Sequence, residues 1–377
     1  HMEYRIFPKG GEKISTVGIG GSKLHLVSDE EMVRMVDFAL EKGMNIIDLA
    51  TETADVFPKV AKAVAGRRDK LMLALHLGLT FQDDGQYKRT REIADVEAGF
   101  ARQLAALGTD YADIGYIHYV DDIDDYLNVF ASGTYDFARK LKKEGRLRKL
   151  GFASHRADIS RKFLEEGDFD LFMFSINPAY DLDPVGNNPL EEDWSALNSV
   201  NVAQERTELY HLAEKKGVGI TVMKPLGAGR LLDERTSPFK RALTVPQLIQ
   251  YCLDRPGVLS CMVGADSVAN LEALAACDDT SAEDRDYSFI AGLHFEEMLG
   301  QCVYCNHCLP GHSNIDIARV HKFLDLANVG DALAREHYLA LEHKASECIE
   351  CGSCEDNCPF QVAVRDKMKE AVTLFGE

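Results

Sequence analysis

Between Lys13 and Ala276 short apolar runs alternate with amphipathic stretches, and the alternation repeats eight times. The runs at 16–19, 45–49, 71–75, 114–118, 148–152, 171–175, 219–223 and 259–263 have strand length, and a stretch with helical spacing follows each. The first such stretch carries the clearest signals. Ser28 with Glu31 predicts a capping box, Met32, Val33, Val36, Ala39 and Leu40 share one face, and Lys42-Gly43 marks the stop. Similar stops recur at Lys143-Glu144-Gly145 and Lys215-Lys216-Gly217. Eight βα units in about 260 residues predict an α/β fold of the (β/α)8 TIM-barrel type, because a doubly wound open sheet seldom needs so many. Segments 4–6 and 13–15 read as a hairpin across the barrel floor. His1-Met2 reads as a remnant of tag cleavage. The barrel is expected over 3–278, and 279–377 is expected to form a small α-helical ferredoxin-like iron–sulfur domain, with helices near 315–325 and 332–343.

The second domain is defined by its cysteines. Seven of the ten in the chain fall in two clusters, Cys302, Cys305, Cys308 and Cys348, Cys351, Cys354, Cys358, the last followed by Pro359. The second cluster has the C-x2-C-x2-C-x3-C-P spacing of bacterial ferredoxins, in which the fourth thiolate serves the neighbouring cubane. Zinc sites usually pair two C-x2-C knuckles, so a third cysteine three residues on is surplus to tetrahedral closure. Two [4Fe–4S] clusters are therefore expected. Cys302, Cys305 and Cys308 with Cys358 complete one of them. Cys348, Cys351 and Cys354 lack the thiolate that the first motif should supply, since Gly311-His312 stands there. That cluster either takes His312 as a ligand, keeps an open iron for water or substrate, or has lost that iron. Cys252, Cys261 and Cys277 lie in apolar surroundings and read as core.

A net charge of −19 repels phosphate backbones and anionic lipid, which excludes nucleic acid and membrane partners. No signal peptide and no apolar run long enough to cross a bilayer are recognised, so a cytoplasmic location is expected. Exposed cubanes favour a reducing, anaerobic compartment and an electron donor of ferredoxin or flavodoxin type. The expected partner at the barrel is a small-molecule substrate. A long connection from about 176 to 204 holds the only tryptophan, Trp194, and reads as a lid or partner surface. The acidic run Asp121, Asp122, Asp124, Asp125 reads as a solvated face.

Barrel chemistry sits just past the C-terminal ends of strands. Those ends present Gly20-Gly21-Ser22-Lys23, Asp48, His76, His118, Ser154-His155, Asn177 and Lys224-Pro225-Leu226-Gly227. Asp48 and His118 are the foremost candidates, because each ends its strand at the correct face.

The segments Gly43-Met44-Asn45-Ile46-Ile47-Asp48-Leu49-Ala50, Arg68-Asp69-Lys70-Leu71-Met72-Leu73-Ala74, Asp113-Ile114-Gly115-Tyr116-Ile117-His118, Gly151-Phe152-Ala153-Ser154-His155 and Met223-Lys224-Pro225-Leu226-Gly227-Ala228-Gly229 together resemble the aldo-keto reductase superfamily, in its branch with a C-terminal iron–sulfur domain. The resemblance implies carbonyl reduction with NADPH through an Asp, Tyr, Lys, His tetrad. Asp48 and His118 fall on the aspartate and histidine, but Thr53 falls on the tyrosine and His76 on the lysine. A threonine hydroxyl is too weak an acid to replace an activated phenol, and an imidazole does not keep the permanent charge of lysine. Lys224, Gly264 and Ser267 fall on nucleotide-binding positions. Asp266 beside them would repel a 2′-phosphate, and the later arginine and asparagine positions read Asn270 and Leu274, all of which disfavours NADPH.

The reading is an iron–sulfur oxidoreductase of this ancestry, acting on a small organic molecule with electrons from the clusters and a proton from His76 or His118. Asp48 would fix an imidazole's tautomer. Two alternatives stand beside it: a lyase or hydratase that uses an open cluster iron as Lewis acid, and a non-catalytic electron-transfer subunit.

Overall fold

Eight parallel strands close into a barrel in the computed structural model of the chain, which describes residues 1–181, 204–290, 302, 308–309, 311–328, 332–358 and 361–377. The strands, numbered along the chain, are β1 Tyr4–Ile6, β2 Lys13–Ser15, β3 Val17–Gly20, β4 Ile46–Asp48, β5 Met72–Leu77, β6 Leu79–Phe81, β7 Tyr87–Arg89, β8 Ala112–Ile117, β9 Leu147–Ser154, β10 Leu171–Ser175, β11 Gly219–Met223 and β12 Val258–Gly264. The barrel order is β3-β4-β5-β8-β9-β10-β11-β12 with closure onto β3, so each barrel strand pairs with its predecessor in the chain. This is the (β/α)8 architecture expected from the eightfold alternation. Two antiparallel hairpins lie outside it. One is β1-β2, as expected. The other, β6-β7, follows the third barrel strand and is absent from the sequence reading.

Helices α1 Asp29–Lys42, α2 Val56–Val64, α3 Ile93–Leu107, α4 Ile123–Ala131, α5 Thr134–Lys143, α6 Ala157–Glu166, α7 Pro178–Asp181, α8 Gln204–Lys216, α9 Val245–Leu253 and α10 Val268–Ala275 accompany these strands. Helix α1 shows the local logic. Ser28 Oγ accepts the Glu31 N–H, Met32, Met35, Val36 and Ala39 are buried, and Gly43 closes the helix in the left-handed conformation at φ 88°. The expected capping box is only half formed, because the Glu31 carboxylate turns instead to Arg34 and to the backbone N–H of Val268. Phe7 from the floor packs with Ile14, Ile46, Ala74, Ile114, Leu171 and Met173 in the barrel core.

Backbone packing separates two compact units, one of His1–Ile176, Glu208–Leu226 and Val245–Arg285, the other of Asn177–Thr207, Gly227–Thr244 and Asp286–Glu377. The second contains helices α11 Ile317–Asn328, α12 Ala334–Leu339, α13 Ser353–Asn357 and α14 Val364–Phe375. Val320, Phe323 and Leu324 of α11 meet Ala334 and Tyr338 of α12 and Val364, Met368, Ala371 and Phe375 of α14 in one core. Tyr338 stacks on Phe375 at 4.3 Å between ring centroids. Cys252, Cys261 and Cys277 are buried. The stretch 182–203, with Trp194, lies outside the described residues. Among the described residues no helix is long and apolar enough to cross a membrane.

Candidate functional site

Alternation along a strand decides which side chains enter a barrel. Ile46, Ala74, Ile114 and Tyr116 belong to the inner core, so the residues two further on, Asp48, His76 and His118, point the same way at the strand ends. They are buried to 4%, 1% and 1% exposure respectively. His76 Nε2 lies 2.7 Å from Asp48 Oδ1, and His76 Nδ1 lies 2.9 Å from His118 Nδ1. His118 Nε2 in turn lies 2.7 Å from the Tyr87 hydroxyl. Four side chains thus form one linear hydrogen-bonded chain, Asp48–His76–His118–Tyr87.

The tautomers of the neutral chain follow by elimination. A carboxylate only accepts, so His76 carries its proton on Nε2 and leaves Nδ1 as an acceptor. His118 must then donate from Nδ1, and its Nε2 accepts the Tyr87 O–H. Burial, reinforced by His76, Arg91, Arg89 and His155, holds the His118 pKa well below its ordinary 6.5. Burial raises the phenols of Tyr116 and Tyr119 above their ordinary value, as the nearby Asp48 charge does. Tyr116 shares a 2.7 Å hydrogen bond with Thr221, and Tyr119 stacks on His118 at 4.3 Å.

Tyr87 is the functional candidate that sequence reasoning missed. It heads β7, and the β6-β7 turn contains Asp84-Gly85, with Gly85 at φ 83°, a dipeptide that signals a hairpin. Gly78, at φ 92°, turns the chain out of the barrel, and a Cβ there would stand 2.7 Å from the Arg91 guanidinium. Arg91 fastens the returning strand. It donates to the backbone carbonyls of His118 and Tyr119 and to both carboxylate oxygens of Asp125.

The acidic run is structural. Asp122 caps α4, Asp125 pairs with Arg91, and Asp121 accepts from His155 Nδ1 and from its backbone N–H, each at 2.8 Å. Thr53, expected at the position of the family's tyrosine, donates its hydroxyl to Asp55 and not to the histidines. Lys224, the residue after β11, lies in the left-handed region at φ 56°, a conformation uncommon outside glycine.

At the positions expected to bind nucleotide, Gly264 ends β12, and a Cβ there would meet Ser22 Oγ at 2.6 Å. Ser267 caps its own helix by accepting the Asn270 N–H, and the Asn270 side chain accepts the Asp266 N–H. The first N–H of α10, at Val268, donates to Glu31 Oε1 at 2.9 Å. That hydrogen bond, then Arg34, holds the Glu31 carboxyl below its usual range. The N-terminus of α10 is thus occupied by a carboxylate of the same chain.

In the second unit Cys308 and Cys354 lie in the hydrophobic core, with Cys302, Cys348 and Cys358 packed against it. The two motif segments meet. The Asn357 amide donates to the Cys308 carbonyl, and a Cβ on Gly311 would lie 3.6 Å from Ser353 Oγ. Cys351 is exposed, and Ser353, by side chain and backbone, and then His312 lower its thiol to about 7. Cys305 lies outside the described residues, and among the described residues no three such donors converge as a metal site.

Comparison with known proteins bears on the barrel. The aldo/keto reductase family profile matches residues 16–291. The uncharacterized oxidoreductase YqkF of Bacillus subtilis (strain 168) is 25% identical over 279 residues, which cover 68% of this chain and 85% of that protein. The solved aldo-keto reductase AKR11C1 of Bacillus halodurans, in its holo form, superposes with a TM-score of 0.59 at 23% identity, over 76% of this chain and 94% of that one. An aldo-keto reductase of Klebsiella pneumoniae, solved in complex with NADPH, gives 0.51 at 17% identity over 75% and 93%. These last two likenesses concern the fold. With a profile that spans the barrel from its first strand past its last, the chain is an oxidoreductase of the aldo/keto reductase family.

Proposed function

We propose that the protein is an iron–sulfur oxidoreductase that reduces a small organic substrate at the barrel mouth, with electrons from two [4Fe–4S] clusters and not from NADPH hydride. The observation that carries this reading is His76 in the position of the family's lysine, hydrogen-bonded between Asp48 and His118. A lysine there lowers a phenol's pKa by its charge. A buried imidazole between a carboxylate and a second imidazole stores and passes a proton, which suits substrate protonation that accompanies single-electron reduction.

The residues present do not fit NADPH. Although the Klebsiella pneumoniae relative was solved with that nucleotide, here Glu31 and Asp266 put negative charge at the N-terminus of α10, and Ser267 and Asn270 are engaged in capping. Carboxylates at that position oppose a 2′-phosphate. The spacing of the cysteines, and the meeting of their two segments at Asn357 and Cys308, support clusters instead. Cys302, Cys305, Cys308 and Cys358 would hold one, and Cys348, Cys351 and Cys354 the other, with His312 beside Cys351 as candidate fourth ligand. When bound, the clusters supply electrons one at a time. Residues 279–377 are accordingly read as a helical ferredoxin-like domain.

Two measurements test the reading. Anaerobically purified protein should hold about seven to eight irons, and Mössbauer or EPR spectra should show two clusters that differ. Reduced methyl viologen, and not NADPH, should support reduction of small aldehydes. Stoichiometric zinc, or brisk NADPH-dependent turnover with no viologen activity, overturns it.

A further inference from the structure

We infer that Tyr87 delivers the substrate proton, fed by His76 through His118. The inference rests on reading the barrel rim as the active site, and it assigns the donor there. Access is the first argument. Asp48, His76 and His118 are at most 4% exposed and their mutual hydrogen bonds occupy the ring nitrogens, whereas Tyr87 is 41% exposed and still bonded to His118 Nε2. Tyr87 is the one member of the chain that a bound molecule can reach.

Proton balance is the second argument. In the spent state Asp48 accepts from His76 Nε2–H, His76 Nδ1 accepts from His118 Nδ1–H, and His118 Nε2 accepts from Tyr87 O–H. Adding one proton makes His76 an imidazolium whose charge Asp48 compensates. His76 now donates from Nδ1, so His118 must accept there and carry its proton on Nε2, facing the Tyr87 oxygen. The Tyr87 O–H is released to point at the substrate. When that proton moves to the reduced substrate, the phenolate takes the Nε2 proton of His118, and His118 takes the Nδ1 proton of His76. One proton has passed from His76 to the product, no charge is left on the phenol, and the spent state is restored. The electrons of the step come from the one-electron donor named above.

Burial raises the Tyr87 phenol above its ordinary value despite Arg89 and Arg91, so a lone phenolate is unfavourable and reprotonation by His118 within the step matters. The depressed basicity of His118 agrees with its staying neutral while its proton changes sides. The other titratable and charged groups facing the pair are Arg89 and Arg91 after the hairpin, Tyr116 and Tyr119 on and after β8, and Asp121 with His155.

Long-range 1H–15N spectra of the full-length, 15N-histidine-labelled protein, assigned with His76→Gln and His118→Gln, test the relay without a substrate. When the network takes up a proton, the protonated and unprotonated nitrogens of His118 should exchange places while His118 stays neutral. A His118 that keeps one tautomer throughout, or itself becomes doubly protonated, overturns the relay. Tyr87→Phe removes only the hydroxyl. With reduced methyl viologen and benzaldehyde it should lose about 10²-fold or more in kcat at unchanged melting temperature, the scale of general acid catalysis. Undiminished turnover in this variant overturns Tyr87 as donor. A wild-type protein inert in that assay counts against the proposed function, and the tautomer switch then decides the relay by itself.

Discussion

Asp48, His76 and His118 are separated by 28 and 42 residues along the chain, whereas Cys348, Cys351 and Cys354 follow one another at every third position. In the barrel a side chain reaches the rim through its place on a strand, and any residue written at that place arrives there. In the C-terminal unit, under the proposed reading, the residues themselves would have to match the corners of a cluster, so their spacing carries the information. The two regions therefore tolerate change differently. At the rim β5 and β8 bring His76 and His118 together whatever their separation in the chain, and the two imidazoles form a hydrogen-bonded chain there. A ligand missing from such a motif would have no strand to replace it, and His312, which lies beside Cys351, is the proposed substitute.

The sharpest way to break this comparison is to add the fourth ligand that the proposed second cluster lacks. Gly311→Cys places a thiol beside the segment carrying Cys351, and its Cβ meets Ser353 Oγ at an ordinary 3.6 Å. The expected outcome is all-or-none in the spectrum: the site-differentiated cluster becomes equivalent to the other and no longer yields a three-iron form on oxidation. Viologen-driven turnover should persist, since the proton chemistry belongs to the barrel. A stable, fully loaded and inactive variant would move the chemistry to the open iron and favour the lyase alternative.

A second test asks what it costs the barrel to bury a titratable chain. His118 in the unfolded protein takes up a proton near pH 6.5, while the folded protein holds it neutral well below that value. Below pH 6.5 unfolding therefore consumes a proton, so this contribution to stability is present above 6.5 and lost as pH falls. The wild type should lose up to about 1.4 kcal/mol per pH unit between 6.5 and 5 relative to His118→Gln, read from urea midpoints. Equal slopes in the two proteins would mean that His118 titrates normally in the fold.

How far the sequence disclosed all this depended on whether a signal was local or assembled. The eight strands, the floor hairpin and the rim positions of Asp48, His76 and His118 were legible because period-2 runs and helix stops are local. The contact between His76 and His118 was not, since it depends on the β5-β8 pairing. Tyr87 lay in a stretch that reads as a polar connection; its Asp84-Gly85 turn was the available signal, and the short flanking strands, three residues each, fell below the length that alternation reveals. Thr53, read from the sequence as standing at the family's tyrosine position, turns to Asp55, because a short hydroxyl finds a partner on the adjacent turn.

Glu31 gives the smallest expected effect and the finest distinction, because it separates a nucleotide site that has decayed from one that is actively blocked. Its carboxylate accepts the Val268 N–H at the start of α10 and is steadied by Arg34, so a nucleotide phosphate would have to displace a fixed negative charge. In Glu31→Ala that N–H is released and one of the two nearby carboxylates is gone. Asp266 remains, and the Asn270 and Leu274 positions still supply no cation. The interaction of a charge with a helix end then sets the scale, and NADPH affinity should rise only about two- to fivefold in low salt. Fluorescence titration at low and high ionic strength measures this, and the gain should shrink with salt because it is electrostatic. A rise to tight binding would identify Glu31 as a lid over an intact nucleotide site. No change at either ionic strength would place any residual nucleotide binding away from α10.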